Sequence, residues 1–347
     1  MNYSITQYLL LGAVTLIYVG TITGPIRKIA IRFNVVDAPD MARKIQKQPV
    51  PYLGGVAMAI GVVTTSYLAI VAKDFNLNSV GLASSVLIPA ILIAAMGLWD
   101  DLRGLRPWPR LIAQTSVGTA MALILVATDT MGFALGNAFL NTVVSIFWIV
   151  GITNSINFFD NLDGGAAGTV AIASFFLFLI ANSQGQILVS ALAIVVSGAT
   201  AGFLLWNKSP AKIYMGDAGA LFLGIIMGVL TIRLDPGIEP QILSLAIPVA
   251  LLAIPILDTT VAVSSRLYRG ISPFTGGRDH LSHRLMRIGI QRKYAAITLW
   301  VASGVYGLLA WAIYKYPESL GFPLLAVAVI SWLSLLSFFL RIPSSDK

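Results

Sequence analysis

Four short stretches gather the residues able to do chemistry: "GLWDD" (97–101), "NSINFFDNLDG" (154–164), "IYMGDAGALFLG" (213–224) and "GGRDHLSHRL" (276–285). The first three supply the carboxylates Asp100, Asp101, Asp160, Asp163 and Asp217 with the amides Asn154 and Asn157. Such oxygens suit a hard divalent cation such as Mg²⁺, which keeps some waters and commonly bridges to phosphate. The fourth supplies Arg278, His280, His283 and Arg284 as donors for phosphate oxygens, and its two histidines are the only two in the chain. Their i,i+3 spacing would also suit zinc, but no third N or S ligand accompanies them, so zinc is the weaker reading. Carboxylates for a cation beside basic donors point to phosphoryl transfer, which needs positioning and charge neutralisation and little else. There is no GxxxxGK[ST] loop, so ATP hydrolysis has no support.

Each stretch has a plainer reading. A paired aspartate can be a solvated helix cap. "GDAG" can be an N-cap with glycines for close packing. Asn and Asp also terminate helices. What favours chemistry is coincidence, because the elements that carry these groups bring them to one face of a membrane. Hydrophobic residues make up 57% of the 347 and charged residues 11%, a composition that places the chain among polytopic membrane proteins. A spanning helix takes about 20 apolar residues. Runs of that kind are predicted near 4–25, 53–72, 82–99, 111–127, 139–157, 166–182, 187–205, 218–232, 242–263, 295–314 and 322–340, giving an all-α fold of about 10–11 transmembrane helices. The first run has no preceding basic residue or small-residue cleavage site and reads as a retained helix, not a signal peptide.

Twenty of the 23 lysines and arginines fall in one set of loops, leaving Lys73, Arg233 and Lys315 for the other. The positive-inside rule then predicts an outside N-terminus and puts the first set of loops in the cytoplasm. Ten of the 15 acidic residues also fall on that side, which the rule does not explain: Asp37, Asp40, Asp100, Asp101, Asp160, Asp163, Asp217, Asp258, Asp279 and Asp346. Ionisable groups abutting apolar runs are functional candidates. Asp258 is expected near the inner end of a continuous span over 242–263. No cysteine is present, which excludes disulfide, iron–sulfur and thiolate–zinc chemistry. No soluble domain, linker or repeat is evident, so 1–347 reads as one membrane-embedded domain, with long inner loops at 27–55 and 265–293. No separable basic patch suggests nucleic acid.

In their order and placement the four stretches, with "LDTTVAVSSRLYRGISPF" (257–274), resemble the polyprenyl-phosphate N-acetylhexosamine-1-phosphate transferases of glycosyltransferase family 4, over most of the chain. The resemblance implies an integral membrane enzyme of the plasma membrane with its site on the cytoplasmic face. It would transfer HexNAc-1-phosphate, foremost GlcNAc-1-phosphate, from a UDP-N-acetylhexosamine to undecaprenyl or another polyprenyl phosphate. UMP would leave, and Mg²⁺, or Mn²⁺ in its place, would serve as cofactor. Such a step opens assembly of a cell-envelope glycan, and dimerisation is a family expectation.

The resemblance further implies that Asp100 and Asp101 include a base on, or positioning group for, the lipid phosphate, that Asp217 binds metal with Asn157, and that Asp160 is essential. It assigns Asp163 to uracil, and Arg278, His280 and His283 to the pyrophosphate and sugar. The chain departs from the family pattern at Ser282, where a middle histidine is usual, and at Ala220, where a serine is usual. Within the family the rival is phospho-MurNAc-pentapeptide transferase. Outside it the rivals are an inactive scaffold and an ion-coupled transporter, against which stand acidic clusters at helix ends and the lack of mid-helix breaks pairing two halves.

Overall fold

A computed structural model of the protein describes residues 3–37, 49–73, 76–132, 134–273 and 275–344. The acidic candidates Asp40 and Asp346, and the basic residues Arg43, Lys44, Lys47 and Lys347 used to orient the chain, lie outside the described residues. The chain is built from helices α1 (Ile5–Arg32), α2 (Gly54–Lys73), α3 (Leu77–Arg103), α4 (Pro107–Ala127), α5 (Ala138–Phe159), α6 (Gly165–Ser183) and α7 (Ile187–Asn207). There follow α8 (Gly216–Arg233), α9 (Gln241–Leu251), α10 (Ala253–Tyr268), α11 (Leu281–Arg287), α12 (Arg292–Lys315) and α13 (Pro317–Arg341). Two-residue strands β1 (Val36–Asp37) and β2 (Val50–Pro51) pair antiparallel in the α1–α2 connection, the one departure from an all-helical fold among the described residues. Ten of the helices are long and apolar enough to cross a membrane, so the protein is a multi-pass membrane protein.

Burial ranks the helices by position. Every residue of α8 from Ala218 to Arg233 is buried, as expected of a helix apolar all round, and α3, α5 and α2 pack against it. α13 exposes most of its apolar side chains, as a lipid-facing helix does. Around the start of α8 backbones come very close. A Cβ on Gly55 would sit 2.1 Å from the Gly219 nitrogen, so α2 can meet α8 there only because both residues lack side chains. The chain leading into α2 is tied to the same place: the Gly54 and Gly55 amides donate to the Tyr214 and Met215 carbonyls, and the Tyr214 amide donates to Pro51.

The predicted ninth span is not continuous. α9 and α10 meet at a 73° bend after Leu251. Pro255, in the first turn of α10, has no N–H to give and its ring excludes a carbonyl four residues back, so the ladder cannot run through. Asp258 is thereby placed one turn into α10, fully buried, and not at the inner end of a straight span. The break has no counterpart pairing a second half of the chain among the described residues.

Candidate active site

The C-terminal ends of α3 and α5, the N-terminal end of α8, the second half of α10 and the loop before α11 surround one cleft of about 600 Å³. All nine residues to which the family resemblance assigns a role line it: Asp100, Asp101, Asn157, Asp160, Asp163, Asp217, Arg278, His280 and His283.

Local chemistry explains the acidic wall. α3 stops at Gly104, whose φ of +67° is the left-handed cap that glycine favours, and Asp100 accepts from the Leu105 amide at 2.6 Å just beyond. Asp101 reaches across to α8. Its two oxygens accept from the amides of Asp217 (3.0 Å) and Ala218 (3.2 Å), so α3 caps α8. Gly216 has φ +68°, and a Cβ there would lie 2.5 Å from Asp101 Oδ2. The "GDAG" stretch is therefore a helix start, as its plainer reading held, but the capping carboxylate comes from the other motif.

At the centre stands Arg110, which in the sequence is one more loop cation of the positive-inside count. Its Nη1 lies 2.6 Å from Asp100 Oδ2 and 3.1 Å from Asp217 Oδ2, and its Nη2 donates to Asn157 Oδ1 at 3.1 Å. Asn157 Nδ2 donates in turn to Asp217 Oδ1 at 2.7 Å. Asn154, next in the three-residue series, is turned away to Gln114 and Val150. Asp160 follows the end of α5 half-buried, with no hydrogen-bond or ion-pair partner for its carboxylate among the described residues. Burial first, then the charges of Asp217, Asp101 and Asp163, push its carboxyl up to about 8.

Asp163 is buried with its oxygens engaged: Oδ2 accepts from the Ala211 amide at 3.2 Å, and Arg292 Nη1 lies 3.2 Å away. Arg292 is another cleft cation that the sequence shows only as a loop charge. Tyr214 lines the same end, its phenol pushed up to about 12 by burial and by the Asp163 charge.

The basic wall is held from beneath. Asp258 accepts from the Leu281 amide at 2.7 Å and pairs with His280 Nδ1 at 2.8 Å, while His280 Nε2 lies 3.3 Å from Arg266 Nη2. Arg266, only 3% exposed, donates also to Asp279 and to the Pro273 carbonyl. Both nitrogens of His280 thus have protein partners. His283 differs. Its Nδ1 has no partner, and burial, followed by the neighbouring His280, pushes its imidazole down to about 4, so it is neutral at pH 7. Ser282, at the departure from the family pattern, donates to Asn161 Oδ1 and so ties α11 to the segment after α5.

Arg284 corrects an expectation. Read as a phosphate donor, it is buried, and its guanidinium faces the carbonyls of Asp279, Phe339 and Ile342, which fastens α11 to the end of α13. Helix geometry leaves carbonyls at and just past the end of α13 short of donors, and a buried guanidinium supplies some. Nothing in a one-dimensional pattern separates that arginine from Arg278 six residues earlier.

Among the described residues no three His, Cys, Asp or Glu side chains form a closed metal cage. The oxygen donors fit Mg²⁺ better. Asp217 is partly open to the cleft, and Asn157 adjoins it. Mg²⁺ takes one or two protein oxygens and completes its shell with water and substrate phosphates, so an open half-site is what it needs.

Ten membrane spans around a cleft that opposes carboxylates to guanidinium and imidazole groups define a membrane-embedded enzyme for phosphate-bearing substrates. The profile of "Glycosyl transferase family 4" matches residues 83–235. The "Probable undecaprenyl-phosphate N-acetylglucosaminyl 1-phosphate transferase" of Bacillus subtilis (strain 168) is 32% identical over 304 residues, 86% of this chain and 82% of that protein. The "Decaprenyl-phosphate N-acetylglucosaminephosphotransferase" of Mycolicibacterium smegmatis is 32% identical over 317 residues, 82% of this chain and 77% of that one. A "Phospho-N-acetylmuramoyl-pentapeptide-transferase" of Streptococcus agalactiae serotype III is 27% identical over 210 residues, 56% of this chain and 62% of that protein. The chain belongs to glycosyl transferase family 4.

Proposed function

We propose that the protein transfers GlcNAc-1-phosphate from UDP-GlcNAc to a polyprenyl phosphate, releasing UMP, at the cytoplasmic face of the plasma membrane. The observation that carries this reading is the convergence of the four motifs on one cleft, in a chain alike over most of its length to proteins named for GlcNAc-1-phosphate transfer. Similarity to the pentapeptide transferases is lower and shorter, which favours the GlcNAc reading over the MurNAc one.

Two anionic substrates must meet, and their repulsion is the first barrier. Arg110, Arg266, Arg278 and Arg292 line the cleft and lower it, more strongly in a partly desolvated site than in water. A phosphate oxygen of the lipid attacks the sugar-bearing phosphorus of the UDP-sugar, a new P–O bond forms, and the bond to UMP breaks. A phosphate monoester is already a competent nucleophile, so one displacement suffices without an aspartyl intermediate. Asp217 and Asn157 would hold Mg²⁺, which when bound neutralises pyrophosphate oxygens. Asp101 keeps the start of α8, and with it Asp217, in place. His283, neutral, offers a hydrogen bond to the sugar or its phosphate without adding a charge. Asp163, fixed by Arg292 and Ala211, presents an acceptor edge for the N3–H of uracil.

The test is substrate choice: purified protein with undecaprenyl phosphate and Mg²⁺ is given radiolabelled UDP-GlcNAc or UDP-MurNAc-pentapeptide, and label is followed into organic extract. Label is expected from UDP-GlcNAc. Label from the MurNAc donor alone would move the protein to the rival branch, and label from neither would remove the proposal.

A further inference from the structure

The segment between α5 and α6 forms one wall of the cleft and the chain leading into α11 forms another, and each is fastened from behind. In the first wall Asp163 is held by the Ala211 amide and Arg292, and Gly164 by Asn207 and Trp300. In the second, Asp258 holds the Leu281 amide and His280. Two residues at the end of α5 cross from one wall to the other. The Phe158 ring meets the His280 ring edge-on, centroids 6.2 Å apart, and the Arg266 guanidinium stands 5.6 Å from its centroid. Asn161, which directly follows Asp160, meets Ser282, which directly precedes His283. The Asn161 amide has a fixed sense: its Nδ2 donates to the Phe158 carbonyl at 2.7 Å, so Oδ1 is left to accept from the Ser282 hydroxyl. Ser282 is only 1% exposed, so its side of the bond is shielded from solvent.

We infer that Asn161 and Ser282 are positioning residues of the proposed transfer, their hydrogen bond setting the spacing between the Asp160–Asp163 segment and the His280–His283 wall. The inference rests on the GlcNAc-1-phosphate reading, in which the donor reaches from Asp163 at its uracil to His283 at its sugar phosphate. A hydrogen bond fixes both distance and direction, whereas the edge-on aromatic contact at Phe158 tolerates sliding. A displacement of about 1 Å between reacting groups costs much of the rate, so a cross-tie one residue from both Asp160 and His283 acts on the chemistry through its neighbours. The pair also gives a physical reason for the departure at Ser282. An imidazole there would need the space that the Asn161 amide fills, so the serine and the asparagine are matched to each other.

Purified full-length protein with Mg²⁺ is titrated calorimetrically with UDP-GlcNAc and with UMP. Wild type, Ser282→Ala, Asn161→Ala and the double variant are compared, with thermal unfolding confirming that each is folded. Each single change should weaken UDP-GlcNAc about fivefold, the worth of one hydrogen bond, and the double change should weaken it no further. UMP should bind all four alike, because the ties on Asp163 and Gly164 do not pass through Ser282. Equal loss of both nucleotides would reduce the pair to general packing, and losses that multiply in the double variant would show two side chains acting apart. Either result would overturn the assignment, as would wild-type affinity for UDP-GlcNAc in folded Ser282→Ala. An exchange of sizes gives a check that does not rely on truncation. Ser282→His should weaken UDP-GlcNAc most, and Asn161→Gly added to it should restore part of the loss; no recovery would contradict the matched fit. Wild type that binds neither nucleotide would remove the GlcNAc reading itself, and this inference with it.

Discussion

At the scale of single residues the acidic motifs separate into different duties. Asp217 and Asn157 face the cleft and each other, whereas Asp101 spends both carboxylate oxygens on the first amides of α8. Asp101→Ala should therefore lose activity and also about 1 kcal/mol of stability, the usual worth of a helix cap, read as a lowered unfolding midpoint. An unchanged midpoint would return Asp101 to a purely chemical role. Arg110 is the central cation of the cleft. Arg110→Gln should cut kcat/KM about a hundredfold, as losing a donor at a charged transition state does. The same change should tighten Mg²⁺, because Asp100 and Asp217 lose their built-in counter-charge; a variant with weaker Mg²⁺ binding would contradict this. His283 sets a pH dependence. Its folded value, about 4, is below the ordinary 6.5, so between these limits the unfolded chain binds more protons at this position than the folded one. Its contribution to stability should be fully present above pH 6.5 and fall as pH drops towards 4. His283→Gln should flatten that part of the unfolding profile, and an unaltered profile would mean that the imidazole titrates normally.

At the scale of elements, the sequence located the spans well and their ends less well. Of the eleven predicted runs eight lie within a single observed helix, 4–25 and 53–72 each begin one residue before theirs, and 242–263 covers two. The helices α1 and α3 extend beyond their apolar runs because polar residues such as Arg32 and Asp100 continue the turn where lipid no longer demands apolarity. The 73° bend was not read, although Pro248 and Pro255 are plain in the sequence, because hydropathy averages over a break that costs no apolar residue. Of the site, the four motifs were legible from their acidic and histidine content. Arg110, Arg266 and Arg292 were not, since one arginine in a basic loop looks like another until the helices that carry it are placed. Arg284 shows the converse error, a loop cation that folds inward to cap α13. Close packing at the start of α8 gives an element-scale prediction. Gly219→Ala should cost roughly 1–3 kcal/mol by overpacking against α2, with activity falling because Asp217 moves. Wild-type stability and rate in that variant would show that the helices can part without consequence.

At the scale of the whole molecule, a buried central helix, α8, begins at the cleft, and three helices that pack on it bring site groups there: α3 the aspartate pair, α5 Asn157 with Asp160 and Asp163 just beyond its end, and α4 Arg110. Motifs separated by up to about half the chain become one site because they end at one level of the membrane. Membership of glycosyl transferase family 4 accounts for the cleft, and the bend between α9 and α10 accounts for how a buried Asp258 supports its basic wall from below. The central claim is that this cleft performs phosphate transfer with Asp217 at its heart. The most direct measurement compares wild type with Asp217→Asn for passage of radiolabel from UDP-GlcNAc into lipid extract, with thermal unfolding recorded on the same preparations. Transfer should disappear while the unfolding midpoint stays within error of wild type. A folded Asp217→Asn protein that transfers at the wild-type rate would contradict it.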